Sequence, residues 1–333
     1  MEPTPVSPNP AAARPLGAAK PAASRPLPGK PPAGQPQPAG PVLGMPKPAL
    51  VSLSWAEEDI ENRWGLFKGG RYTSVNKGFT FILAAILSTL FLGLMFAFYH
   101  HGSGLPKRLG QFFVRDVNNL CATIPATLCF FWGAVTAVIK IPKLRLQRRA
   151  LDLAAVPQHH DFVLNETTAK TVLERLHSLV DDTKHFILLN RIDRALSSLH
   201  NIGGINDVST ILKSQADNDE NHIASSYAII NAMIWAIPVL GFVGTVLGLS
   251  MAMTRFNVGT GDAESIKQSL GGAIAGLSTA FETTLVGLVF ALLLHLLSDL
   301  VQQKETDFLD ECNDYCHAHV VSKLRVRRDS KLE

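Results

Sequence analysis

The chain has 333 residues, 47% of them hydrophobic, and its 31 Lys and Arg against 28 Asp and Glu give a formal net charge of +3. The apolar residues fall in blocks rather than at the periods of amphipathic helices or half-buried strands, which excludes an ordinary soluble domain and points to an all-α polytopic membrane protein. So small a net charge makes no case for nucleic acid as a partner. With no P-loop, nucleophile elbow or Gly-rich dinucleotide fingerprint in the sequence, neither an enzyme nor a cofactor is expected.

Residues 1–48 are Pro, Ala and Gly with hardly an aromatic or β-branched residue, so they are expected to form a flexible tail without a cleavable signal peptide. Residues 49–78 mix Trp55, Trp64 and Phe67 with charges and read as an interfacial segment at headgroup level. Two apolar stretches follow, Phe79 to Tyr99 and Leu120 to Ile139, each able to cross a bilayer as a helix of roughly 20 residues.

Residues 140–226 read as a helical region outside the membrane. The basic run Lys140, Lys143, Arg145, Arg148 and Arg149 is expected to meet anionic headgroups. Thr167 to Asn201 reads as one helix, with Val172, Leu173, Leu176, Leu179 and Val180 on a 3.6-residue period; Gly203-Gly204 breaks it, and Val208 to Ser226 resumes as a polar helix entering the third span. The third and fourth spans, Ile229 to Met253 and Ala273 to Leu297, lie within 227–300, and 301–333 read as a charged helix with a basic tail. Lys and Arg flank the four spans most densely on one side, which makes both termini cytoplasmic by the positive-inside rule. The four cysteines are expected to be free thiols. Cys312, Cys316, His317 and His319 have the residue types of a zinc site, but four ligands this close on one helix cannot converge, so no metal is expected.

The chemistry concentrates in the last two spans. Gly241, Gly244, Thr245 and Gly248 share one face of the third, extended by Ala252, and such a small-residue stripe lets another helix approach closely. The Thr245 hydroxyl either bonds back to its own helix or serves a polar pathway, and Pro238 is either a hinge or a static kink. In the fourth span Thr279, Glu282, Thr283 and Val286 share a face beside a small stripe of Gly276, Ala280, Thr284 and Gly287. A central membrane carboxylate costs about 2.5 to 3.5 kcal/mol on insertion scales, so Glu282 is expected to be protonated, hydrated or turned toward protein. It reads as functional, with a hydrogen-bonded helix contact as the alternative.

The run Gly241-Phe-Val-Gly-Thr-Val-Leu-Gly-Leu249 after Pro238, with Ile274-Ala-Gly-Leu-Ser-Thr-Ala-Phe-Glu-Thr-Thr-Leu-Val-Gly-Leu288, resembles the two signature helices of the MotA/TolQ/ExbB proton-channel family. The resemblance covers about 225–300 strongly and the flanking helices loosely. It implies an ion-conducting subunit of a proton-motive-force-driven motor or stator in the bacterial inner membrane. It also implies a pentamer around two copies of a single-span partner of MotB/TolR/ExbD type, whose helix brings the ion-carrying aspartate. Thr245 and Thr284 match the threonines facing that aspartate, and Thr279, Glu282 and Thr283 join them in the expected ion pathway. Glu282 departs from the pattern, since TolQ and ExbB types carry their membrane glutamate nearer the position of Thr279. Four spans favour MotA-like topology, the signature itself reads closer to TolQ/ExbB, and proton is preferred over Na⁺. A secondary transporter of a small solute and a membrane scaffold are the alternatives.

Overall fold

The computed structural model describes residues 53–55, 61, 70, 72–114, 117–153, 155–157, 162–202, 205–255 and 263–324, all within one compact unit that spans 47–333. The Pro-rich tail, Trp64, Phe67, Gly203-Gly204 and the basic residues after Leu324 lie outside the described residues. The described helices are α1 Lys77–His101, α2 Leu105–Val114, α3 Val117–Asp152, α4 Glu166–Leu179, α5 Ile187–Ile202, α6 Ile205–Ser226, α7 Ala228–Arg255 and α8 Ala263–His319, with short 3₁₀ turns at Thr183–His185 and Val321–Lys323. The protein is an all-α polytopic membrane protein. Four helical stretches, in α1, α3, α6–α7 and α8, are long and apolar enough to cross a bilayer. Their outward faces carry Phe81, Ile86, Leu90, Phe242, Phe281, Leu288 and Leu292, all exposed. At about 25 cal/mol per Å² such a surface is costly in water and costs nothing in lipid.

α1 starts where Asn76 accepts a hydrogen bond from the Gly78 amide, a side-chain cap on an otherwise orphaned donor. It packs on α3 through apolar contacts and two polar pairs, Ser88 Oγ to Thr127 Oγ1 at 3.2 Å and Trp132 Nε1 to Thr80 Oγ1 at 3.2 Å. Hydroxyls in an apolar zone are tolerated when they bond to each other in this way. The connection between the first two spans contains the short helix α2. Gly104, at φ 72°, makes the turn into it, and Phe113 packs against Met95 of α1 and Val286 of α8. Its apolar residues Leu105, Leu109, Phe112 and Phe113 recur at helical spacing over too few residues to count as a span.

Beyond the apolar zone, the C-terminal parts of α3 and α8 continue as helix and α4, α5 and α6 pack around them. Phe186, Ile187, Leu188, Leu189, Ile192, Leu196 and Phe308 form the fully buried centre of this bundle. Thr167 to Asn201 is two helices, not one. The break falls at Val180–Phe186, where Leu53 pairs with Val180 in a parallel bridge and Asp182 accepts from the Lys184 amide to cap a new turn. The apolar period carries on across the gap, but a β-branched residue followed by Asp181-Asp182 favours extended backbone and capping over helix interior.

Two further expectations are corrected. Trp55 does not sit at headgroup level: it is buried in the bundle, stacked on His185 at 5.4 Å and edge-on to Phe186 at 5.7 Å. Lys140 and Lys143 do not meet headgroups either. Lys140 Nζ is fully buried, 3.0 Å from Glu305, hydrogen bonded to Ser226 Oγ at 2.8 Å and 4.1 Å from the Tyr227 ring centroid. Lys143 Nζ lies 2.6 Å from the buried Glu61. The signal for this was in the sequence: Thr136, Lys140, Lys143 and Gln147, at steps of four, three and four, form one face of α3, and that face is buried.

Candidate functional site: the seam between α7 and α8

α7 and α8 run antiparallel in close contact, and the residues at their crossing explain how close. A methyl group on Gly248 would stand 2.8 Å from the Ala280 amide nitrogen and the Gly276 carbonyl oxygen, and one on Gly276 would stand 2.7 Å from the Ala252 amide nitrogen. On Gly244 it would meet Thr283 Cβ at 2.6 Å, and on Gly287 it would meet Gly241 Cα at 3.2 Å. The pairs 241 with 287, 244 with 283, 248 with 280 and 252 with 276 therefore define the register, each step of three or four along α7 answered by a like step back along α8. Backbone contact this close needs residues without bulk, the usual basis for helix association in lipid, where burial from water gives no drive.

The hydroxyls lie on and beside this seam. Thr283 is buried in it, donating to the carbonyl oxygens of Ala280 at 3.0 Å, Thr279 at 3.2 Å and Gly241 at 3.5 Å. Thr284 reaches across to the same Gly241 oxygen at 3.3 Å, and the buried Thr279 donates back to Ala275 at 3.1 Å. Thr245 is half-buried and donates to Phe242 O of its own helix at 2.5 Å. Pro238 lies inside α7 without ending it.

The seam fixes which groups share a side. Thr245 and Thr284 each stand one residue past a seam partner, Gly244 and Thr283. A helix turns about 100° per residue, and because the two chains run in opposite directions that step turns both threonines to the same side of the pair. Leu288 and Phe242, both exposed, continue this side. Glu282, one residue before Thr283, turns the other way. It stands about 160° around α8 from Thr284 and one turn from Val286, whose side chain packs against Met95 and Phe113. Glu282 is half-buried and accepts a hydrogen bond from Ser278 Oγ at 2.9 Å. The five residues read together as one pathway thus fall into three places: Thr245 and Thr284 on one side, Thr279 and Thr283 buried, and Glu282 opposite. Ser278 was not picked out from sequence, although its position four residues before Glu282 puts it within reach on the same helix face.

Residues 184–313 match the MotA/TolQ/ExbB proton channel family. The likeness to that family is a property of this stretch of the chain. It takes in α5, α6, α7 and most of α8, so the family resemblance extends beyond the two signature spans into the bundle and leaves α1 to α4 outside. No curated protein and no solved structure matches the chain. The family is one of proton channels that work with membrane partners, not a class of enzymes.

Proposed function

We propose that the chain is the ion-conducting subunit of a proton-motive-force-driven membrane motor or stator. In this reading it sits in a bacterial inner membrane with both termini and the helical bundle in the cytoplasm. Five copies surround two copies of a single-span partner of MotB/TolR/ExbD type. The observation that carries the reading is the placing of Thr245 and Thr284 on one exposed side of the α7–α8 seam. A partner helix lying along that side can present one carboxyl group to both hydroxyls. Thr279 and Thr283 support the path from behind by holding the seam closed, and Glu282 with Ser278 serves the opposite side, toward α1 and α2.

The energy scale suits this role. One charge crossing 100 mV releases about 2.3 kcal/mol, enough to bias a step between two arrangements of a partner helix but not to pull apart a packed seam. The hydroxyls contribute orientation and a hydrogen bond to the protonated or ion-loaded carboxyl, and a net hydrogen bond of about 1 kcal/mol each leaves the ion free to move on.

The test is pH-gradient-driven proton flux in liposomes holding the complex purified through a tag on this chain from the cells that make it. The wild-type complex should conduct, and Thr245→Val with Thr284→Val should lower flux by at least about tenfold, the value of roughly 1.4 kcal/mol lost along the path. Glu282→Gln should cost less than the threonine pair. Flux from the chain without any partner would favour a transporter, and an assembled complex that conducts nothing would leave the scaffold reading.

A further inference from the structure

His295 and Asp299 stand at the bundle end of the fourth span, where the rest of the sequence Ala291-Leu-Leu-Leu-His-Leu-Leu-Ser-Asp299 is apolar but for the buried Ser298. Their side chains pair at 3.1 Å, Nδ1 to Oδ2, and both are more than half exposed, 60% and 58%. Neither residue belongs to the signature runs 241–249 and 274–288. Its position on the helix is informative. His295 lies eleven residues beyond Thr284, which is three turns and about 20° of rotation, so it is on the threonine side of the α7–α8 pair and about 16 Å further along. Asp299 follows one turn on.

The register of the seam adds a third polar group. Gly241 opposite Gly287 and Gly248 opposite Ala280 place Asn231 of α7 between the levels of His295 and Asp299. Asn231 is exposed and sits fourteen residues before Thr245, again about four turns along one stripe. α7 brings no charged residue to this level, its sequence from Ala228 to Pro238 being uncharged. α3, which packs on α8 as well, brings Lys140, and that cation is held by Glu305 in the bundle. Among the described residues, Asp299 is the charged side chain paired with the imidazole.

An ionisable pair on the outside of a membrane helix is expensive against acyl chains and belongs on a side that meets water or protein. We infer that His295, held by Asp299, is the group that takes the proton leaving the Thr245–Thr284 level and releases it to water on the bundle side. This rests on the proposed function. With its single proton on Nδ1, toward Asp299, the neutral ring has Nε2 as its proton acceptor. A proton arriving at Nε2 makes the imidazolium beside Asp299, and the same proton leaves Nε2 for a bundle-side water, restoring the neutral ring. Imidazole is the side chain suited to picking up and losing a proton at physiological pH.

The experiment uses the same purified complex in liposomes oriented with the bundle outward. His295→Ala should lower proton flux by at least about tenfold, the low end of what a positioned proton-transfer group contributes. Free imidazole added on the bundle side should restore flux in this variant and leave wild type unchanged. Asp299→Asn, which keeps the shape of the pair, should give an intermediate flux and an altered dependence on bundle-side pH. Unchanged flux in both variants would overturn the inference, as would a loss that imidazole does not restore and that leaves the pH profile intact, since that pattern belongs to a headgroup anchor. If the wild-type complex itself conducts nothing, the proposed function fails and this inference with it; if wild type conducts and only the His295 and Asp299 results fail, the proposed function stands.

Discussion

At Gly248 a single hydrogen atom decides whether α7 and α8 can keep their register. The space beside it is backbone, the Ala280 amide and the Gly276 carbonyl, and backbone cannot turn aside as a flexible side chain can. Gly248→Val should therefore separate the helices or shift their register, costing about 1 to 3 kcal/mol as other overpacked sites do. Gly271, beside which a methyl group would meet nothing, is the matched control. Thermal unfolding of the detergent-purified protein, followed by tryptophan fluorescence, should show a lowered midpoint for Gly248→Val and little change for Gly271→Ala. Equal midpoints for the two would mean the seam is looser than these contacts require. The seam was legible from sequence because glycine spacing at three and four has few other causes in a span. What the spacing could not give was the side of each hydroxyl, because Thr283 and Thr284 are adjacent residues and only the partner helix determines which one is buried.

Helices were readable where one period served one environment and misread where the environment changed along the chain. α1 and α7 are predominantly apolar, and their bounds lie close to the stretches Phe79 to Tyr99 and Ile229 to Met253. α2 was missed because ten residues with a few apolar positions resemble a loop until Phe113 finds Met95 and Val286. The break between α4 and α5 was missed because buried residues on either side keep the helical rhythm while Val180 leaves the helix to pair with Leu53. Pro238 presents a sharper case at this scale. α7 continues through it, yet proline supplies no amide hydrogen to the carbonyl one turn earlier, that of Ile234. A helix with such a gap is easier to bend there. Pro238→Ala should raise the thermal midpoint, and if bending at this turn accompanies ion passage, flux should fall in the same variant. A variant that is more stable and conducts as wild type does would make the kink a static one.

At the scale of the whole molecule, buried ion pairs tie the spans to the bundle. Lys140 of α3 holds Glu305 of α8 and the last residue of α6, Ser226, at the level where α6 gives way to α7. Arg191 of α5 holds Asp219 of α6 at 2.7 Å and Asn313 of α8 at 2.5 Å. Among the described residues these groups engage α3, α5, α6 and α8, four of the helices that meet in the bundle. Stability alone does not account for such pairs, because desolvating two charges costs about as much as their attraction returns. Removing one partner is different, since it leaves the other charge buried and alone. Lys140→Met should destabilise by about 3 to 5 kcal/mol, and Lys140→Met with Glu305→Met should recover most of that loss. Thermal midpoints of the four combinations give the coupling directly. If the double variant regains stability while its proton flux stays low, the pair acts in transmission between the spans and the bundle; if flux returns together with stability, it is a packing device and the bundle need not follow the seam.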